Sequence, residues 1–316
     1  MRAALLFLAL IACGPAAAQD YPAKPMRLLI GFPTGGNVDL VGRIMAQKMS
    51  EGLGQQVFPE NRTGAGSIIA NDHVAKSSAD GYTLLVVSGA FVTQVAITKK
   101  LPYDPLRDFT FISTVVSYPL VFSVRADSRF RSLGEFIAYV KANPGKVNYP
   151  SPGMGTLYHL AGEMFVSMAG IDMQHVPFRG GSEPLTEVLS GRMELLIDAL
   201  TNSYPQIQAG KFKPLAVSSA ARSAVLSEVP TVADSVPGYE ASSFLGIAGP
   251  AGLPGPVVER LNREVRRVLA LPEVGQRFAE WGGAPSASSP EEMQRHVAAE
   301  IEKWKKVVAA RKLELQ

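Results

Sequence analysis

Four glycine-rich turns carry the residues best suited to chemistry in this chain: Gly35-Gly36-Asn37-Val38-Asp39, Gly64-Ala65-Gly66-Ser67, Gly153-Met154-Gly155-Thr156 and Gly180-Gly181-Ser182-Glu183-Pro184. Each follows a β-type run and opens a stretch that reads as a helix. A helix N-terminus presents unpaired N–H groups and about half a positive charge, so several converging on one cleft would hold a carboxylate without any catalytic side chain. Taken singly, a Gly-rich βα turn is an ordinary connector. No GxxxxGK occurs, and neither GxG pair continues to the third glycine of a dinucleotide fingerprint, so nucleotide binding is a weak reading.

The side chains beside these turns suit a small polar ligand better than a reaction. Asn37 is a candidate contact, whereas Asp39 is balanced between touching a ligand and capping the first helix or pairing with Arg43. Arg62 and Arg179 flank turns, where a guanidinium can grip a carboxylate in two places or simply be solvated. Asp198 ends an apolar strand and would accept a hydrogen bond from a ligand hydroxyl or ammonium, or satisfy nearby backbone donors. Phe32, Phe91, Tyr158 and Phe178 are either an apolar wall above a ligand or core. No G-x-S-x-G elbow or HExxH is present. The pairs His159 with Glu163 and His296 with Glu300 are four apart on helices, but neither has a third ligand at a recognisable spacing, so no metal and no cofactor is expected.

Arg2, the apolar run over residues 3–12 and the small residues ending Ala16-Ala17-Ala18 follow the plan of a secretory signal peptide, with cleavage expected after Ala18. Leu10-Ile11-Ala12-Cys13 also resembles a lipoprotein signal, which would make a lipidated Cys13 the first residue. Cys13 is the only cysteine, so the soluble product would have no disulfide, thiolate nucleophile or Cys-ligated metal. The 31 basic and 28 acidic residues are scattered, without a basic stripe, which gives no support for nucleic-acid binding.

These residues must be positioned by alternating strands and helices. Residues 26–32 read as a strand, 38–53 as a helix with Val41, Ile44, Met45 and Met49 on its apolar face, 56–60 as a strand, 67–77 as a helix and 83–88 as a strand. A second series runs through strands at 147–149, 173–176, 193–198 and 213–218, with helices at 133–143, 156–169 and 184–190. Helices over 257–269 and 290–312 close the chain, the latter with Ser289 as N-cap and Pro290 at N1. The alternation predicts a mainly parallel α/β sheet in two lobes: residues 24–122 with 243–316, and residues 123–242.

Taken together, the segments Phe32-Pro33-Thr34-Gly35-Gly36-Asn37-Val38-Asp39, Glu60-Asn61-Arg62-Thr63-Gly64-Ala65-Gly66, Ala79-Asp80-Gly81-Tyr82-Thr83-Leu84-Leu85, Lys100-Leu101-Pro102-Tyr103-Asp104, Gly155-Thr156 with His159-Leu160-Ala161-Gly162-Glu163, Val176-Pro177-Phe178-Arg179-Gly180 and Leu226-Ser227-Glu228-Val229-Pro230-Thr231-Val232 resemble the substrate-binding proteins of tripartite tricarboxylate transporters, the Bordetella uptake gene (Bug) family. The resemblance spans nearly the whole mature chain. It implies a type II periplasmic-binding-protein fold whose two lobes close on a small carboxylate through a hinge and deliver it to membrane subunits. It also implies that the first turn and the loop from Asn61 to Ser67 face the 153–156 and 178–182 turns. The expected contacts are Phe32, Gly36, Asn37, Asp39, Asn61, Gly66, Ser67, Ser88, Phe91, Gly155, Thr156, His159, Arg179, Gly180 and Asp198. Gln94-Val95 stands where relatives often carry Asn-Pro, and Phe91, Met154 and Tyr158 are bulky, which speaks against a plain amino-acid or citrate ligand and tolerates an aromatic or elongated carboxylate. Two alternatives use the same chain differently: a receptor feeding a sensor, or a periplasmic hydrolase built on His159 and Glu163.

Overall fold

A computed structural model describes residues 21–178 and 182–315. The leader segment 1–18 with Cys13, and the expected contacts Arg179 and Gly180, lie outside the described residues. The chain opens with β1 (Met26–Ile30), α1 (Asn37–Leu53), β2 (Val57–Asn61), a short turn of helix at Ala65–Ser67, α2 (Ile68–Ala75), β3 (Thr83–Ser88) and α3 (Gly89–Ile97). Next come β4 (Phe109–Arg125), α4 (Leu133–Ala142), β5 (Val147–Ser151), α5 (Leu157–Ala169), β6 (Met173–Pro177), α6 (Glu183–Leu189), β7 (Leu196–Ala199), α7 (Leu200–Gln208) and β8 (Phe212–Val217). The remainder is β9 (Ser242–Pro250), α8 (Gly255–Leu269), α9 (Pro272–Glu280), β10 (Ala284–Pro285) and α10 (Pro290–Ala310).

The sheet is mixed rather than mainly parallel. β1 pairs in parallel with β2 and β3, and β5 with β6, but β9 runs antiparallel to β3 and β4, and β4 is antiparallel to β7, β8 and β10. The expectation fails because β4 is one 17-residue strand, although its sequence divides into separate β-type runs at 109–114 and 119–125. Its first part, to Pro119, pairs with β9, and from Leu120 onward it pairs with β7 and β8. Pro119 therefore sits where the strand changes partners, the kind of place where a missing N–H is tolerated in a strand.

Three helices escaped the pattern. α3 occupies the stretch read as a cleft loop; most of its residues are buried, so it lacks the one-sided periodicity that marks a surface helix. α7 contains Pro205 and α9 begins with Pro272, both of which read as breaks. α10 matches its expected start: the Ser289 side chain accepts from the Glu292 amide while the Glu292 carboxylate accepts from the Ser289 amide, and Pro290 occupies the first turn. Its buried Met293, Val297, Ile301, Trp304 and Val308 form a stripe at helical spacing that packs over α3, β4 and α5. Among the described residues no helix is long and apolar enough to cross a membrane.

Gly162, inside α5, makes room for the buried Tyr149 ring, against which an added methyl would collide. Tyr149 cannot easily retreat, because its hydroxyl donates to Glu163 Oε1 at 2.7 Å. Gly162→Ala is expected to destabilise the protein by about 1–2 kcal/mol in urea unfolding, the overpacking cost outweighing the gain of up to about 1 kcal/mol in helix propensity.

Candidate functional site

The first turn is held from behind rather than built for contact along its whole length. Asp39, buried in the first turn of α1, accepts from the Gly35 amide at 2.9 Å, from Arg43 Nε at 2.8 Å and from Asn61 Nδ2 at 2.8 Å. Burial opposes its charge, but these bonds outweigh it and hold the Asp39 carboxyl below the usual range. Asn61 also donates to the Phe32 carbonyl at 2.9 Å and accepts from Arg43 Nη2 at 2.8 Å. Asp39 and Asn61, expected as ligand contacts, are thus committed to each other and brace the loop. What they leave open is the end of α1: Gly36 supplies no side-chain cap, and Asn37 Nδ2 is buried without a hydrogen-bond partner among the described residues.

The second turn stores strain. Gly64, Ala65, Gly66 and Ser67 have φ of 134°, 47°, 61° and 78°, a run of left-handed residues closed by Ser67 N donating to the Gly64 carbonyl at 3.1 Å. Two of the four carry side chains, which pay about 1–2 kcal/mol each for that conformation. Gly31 at the end of β1 permits it, since a Cβ there would collide with Ser67, and Gln94 lies against Gly66. Ser67 is itself buried, and its Oγ accepts from Asn71 Nδ2 at 3.3 Å, a bond that leaves its O–H donor uncommitted.

The open polar groups gather where β1, β3, β4, β7 and β9 come together. Ser88 precedes α3 and its side chain makes no cap bond. The next residue, Gly89, lies against Ser243 Oγ and Leu157 of α5, at 3.0 and 3.2 Å from where a Cβ would stand. Ser243 is the cross-strand partner of Tyr118, whose hydroxyl lies beside the Ser243 and Asn37 side chains without forming a well-made hydrogen bond to Asn37 Nδ2. Asp198, at the end of β7, accepts from Ser203 Oγ at 2.9 Å and Asn202 Nδ2 at 3.3 Å. Its charge is felt by both Tyr118 and Tyr158, whose hydroxyls are pushed up by burial first and by Asp198 second in the case of Tyr158. Burial also raises the Asp198 carboxyl, against the hydrogen bonds from Ser203, Asn202 and the Ala199 amide, and no cation pairs with it among the described residues.

The 153–156 turn satisfies its own donors. Gly155 N donates to His159 Nδ1 at 3.0 Å, and Thr156 Oγ1 donates to the Gly153 carbonyl at 2.8 Å while capping α5. Gly155, Thr156 and His159, all expected as ligand contacts, are joined here in a self-closed cap that the buried His159 anchors. His159 stacks on His175 at 3.9 Å between centroids, and Ser151 Oγ lies 2.6 Å from His175 Nε2. Glu163, proposed as a hydrolase partner of His159, is taken up by Tyr149 and by Arg311 Nε at 2.6 Å. No group of three metal-ligating side chains is found among the described residues.

Phe91 is also corrected: it is fully buried in an aromatic cluster with Tyr103, Phe109 and Phe111, so it is core and forms no cleft wall. Phe32 is partly buried and contributes its carbonyl to the Asn61 brace. Gly36, Asn37, Gly66, Ser88 and Asp198 remain beside open space or open donors. Tyr118 and Ser243 were missed because each sits within a strand and nothing in the sequence pairs them; only the β4–β9 register does.

Residues 41–313 match the tripartite tricarboxylate transporter family receptor, TctC. Protein BugT of Bordetella pertussis is 33% identical over 297 residues, covering 93% of this chain and 91% of BugT. The structure of R. palustris Rpa4515 with adipate superposes with a TM-score of 0.84 at 35% identity, over 93% of this chain and 99% of that one. That of MatC from Rhodopseudomonas palustris with bound malate gives 0.80 at 29% identity, over 91% and 100%. The fold is accordingly the α/β periplasmic-binding-protein fold of two lobes around a ligand cleft, and these relatives are receptors, not enzymes, which removes the hydrolase reading.

Two tests follow from the geometry. Ala65→Gly should stabilise the protein by about 0.5–1 kcal/mol in urea, because relief of the left-handed strain exceeds the added chain entropy. Burial, with a smaller push from His159, drives His175 down to about 3, and burial likewise lowers His159 despite Glu163. Both imidazoles are held neutral, so as pH falls below about 6.5 the unfolded chain takes up protons that the folded chain refuses. Stability should be lost across that window, down to about pH 3 for His175, by up to about 1.4 kcal/mol per pH unit for each proton. His175→Phe should give a shallower fall between pH 6 and 4 than the parent protein.

Proposed function

The chain belongs to the tripartite tricarboxylate transporter receptor family, and from that premise we propose that it captures a small mono- or dicarboxylate, of elongated or aromatic shape, and passes it to the membrane subunits of such a transporter. It is a periplasmic solute receptor by family. The observation that carries the ligand class is the uncapped ends of α1 and α3 together with Asn37 Nδ2, a buried donor that forms no well-made hydrogen bond among the described residues and has the Tyr118 hydroxyl beside it. A native fold rarely leaves such a donor unpaired, because its desolvation costs about 1–3 kcal/mol unless something accepts from it. A ligand carboxylate would accept from it and from the first-turn amides together. The adipate and malate bound by the two relatives are of this chemical class.

In this reading one lobe comprises residues 24–122 with 243–316 and the other residues 123–242. β4, where it changes partners after Pro119, and the segment entering β9 are the two connections that flex. Asn37 and Ser88 lie on one side of the closing cleft and Asp198 and Tyr158 on the other, so closure would bring both sets onto one ligand and exclude water.

Calorimetry against a panel of aliphatic and aromatic carboxylates is expected to find saturable binding. Asn37→Ala should weaken it roughly 10-fold, the size of one lost hydrogen bond to a charged group. Asn37→Asp, which places a like charge on the carboxylate, should weaken it at least about 100-fold. Neither change should move the unfolding midpoint of the ligand-free protein downward. Absence of binding across the panel would overturn the proposal.

A further inference from the structure

The reading of the cleft as a carboxylate site leaves the far end of the ligand open, and the inference below rests on that reading. Five elements meet at this end: α1 with Asn37, β4 with Tyr118, α5 with Tyr158, β9 with Ser243 and the β7–α7 junction with Asp198. Among the described residues, Asp198 is bonded by the Asn202 and Ser203 side chains and the Ala199 amide, and its charge is felt by the two tyrosine hydroxyls. None is a cation. Elsewhere in the protein buried acids are paired with cations: Asp39 with Arg43, Glu163 with Arg311, and Glu264 with Arg260 and Arg267. Asp198 is thus set apart among them by having no basic partner among the described residues.

A carboxylate offers about four acceptor positions, and the Asp198 side chain receives one side-chain hydrogen bond on each oxygen. Acceptor capacity remains. In addition, Thr201 Oγ1, in the first turn of α7, is buried without a partner. We infer that Asp198 selects the ligand by accepting a hydrogen bond from its second polar group, so that the receptor prefers a carboxylate carrying a hydroxyl or protonated amine over one carrying a second ionised carboxylate. The physical reason is local charge. An ammonium or hydroxyl brought to Asp198 completes its hydrogen bonding, whereas a second carboxylate there would face a like charge in a partly buried setting with no cation to offset it.

The test compares ligands of equal chain length at pH 7.5 by calorimetry: a straight-chain monocarboxylate, its ω-hydroxy and ω-amino forms, and the matching dicarboxylate, for chains of four to six carbons. The ω-hydroxy or ω-amino acid is expected to bind at least about 10-fold more tightly than the dicarboxylate of the same length. Asp198→Asn, which keeps the shape and can still accept from Ser203, should erase this preference and strengthen dicarboxylate binding. A wild-type protein that binds the dicarboxylate as tightly as the donor-bearing acids overturns the inference, and this arm requires no variant to fold. A preference that survives Asp198→Asn overturns it as well. Failure of the underlying reading looks different: the plain monocarboxylate would then show no saturable, Asn37-dependent binding at all.

Discussion

The antiparallel pairing of β4 with β9 is the constraint on which the site depends. It sets Tyr118 opposite Ser243, and Ser243 in turn packs against Gly89 at the start of α3. Because β9 also pairs with β3, and β3 with β1, the ends of α1 and α3 emerge side by side. Because β4 then continues past Pro119 to pair with β7, the same strand brings Asp198 to the other side of that opening. Residues separated by more than a hundred positions are thereby placed together through backbone ladders alone. A slip of one residue in the β4–β9 register would turn Tyr118 to the opposite face and dismantle the convergence.

Around that opening the protein is economical about which polar groups it satisfies. α4, α5 and α10 have Ser132, Thr156 and Ser289 as side-chain caps, whereas the other seven described helices, with α1, α3 and α7 among them, begin without one. The bracing groups behind the opening are saturated: Asp39, Asn61 and Arg43 bond one another and the loop, and His159 closes the Gly155 amide. Rigid support behind and unpaired donors in front is the arrangement expected where a ligand supplies the missing acceptors. The left-handed run over residues 64–67 fits the same division, since its strain is borne where Gly31 makes room for it.

Much of the fold was legible in the sequence because it follows local rules. The start of α10, the apolar face of α1 and the alternation of β1, α1, β2, α2 and β3 all appear as caps and periodicities. What could not be read was long-range. The mixed sheet arises from β4 and β9, strands whose direction no local pattern encodes, and α3 is hidden because burial removes its amphipathic signature. At the site, the glycine turns were found but their donors could not be counted: Gly155 looks identical to Gly36 in sequence, yet its amide is consumed by His159, a partner specified only by the turn's conformation. The same reason misplaced Phe91, an aromatic beside a strand whose direction decides between cleft and core.

Among the described residues the proposed site offers amides, neutral side chains and Asp198 but no arginine, and such a site has a functional consequence that an arginine pocket would not share. A buried guanidinium pairing with a carboxylate holds its ligand through bonds about twice as strong as neutral ones and must be desolvated whenever the lobes close. Helix-end amides are already dehydrated and oriented by the fold, so little is spent on reorganising them. In the proposed site their pull would be shared among several modest contacts, each made from one lobe or the other. Opening the cleft breaks them as a set, and a receptor that must surrender its cargo needs affinity that depends on closure in this way. The lack of a cation at Asp198 among the described residues fits the same logic: in the proposed site charge would choose what enters, while neutral donors would decide how firmly it is held.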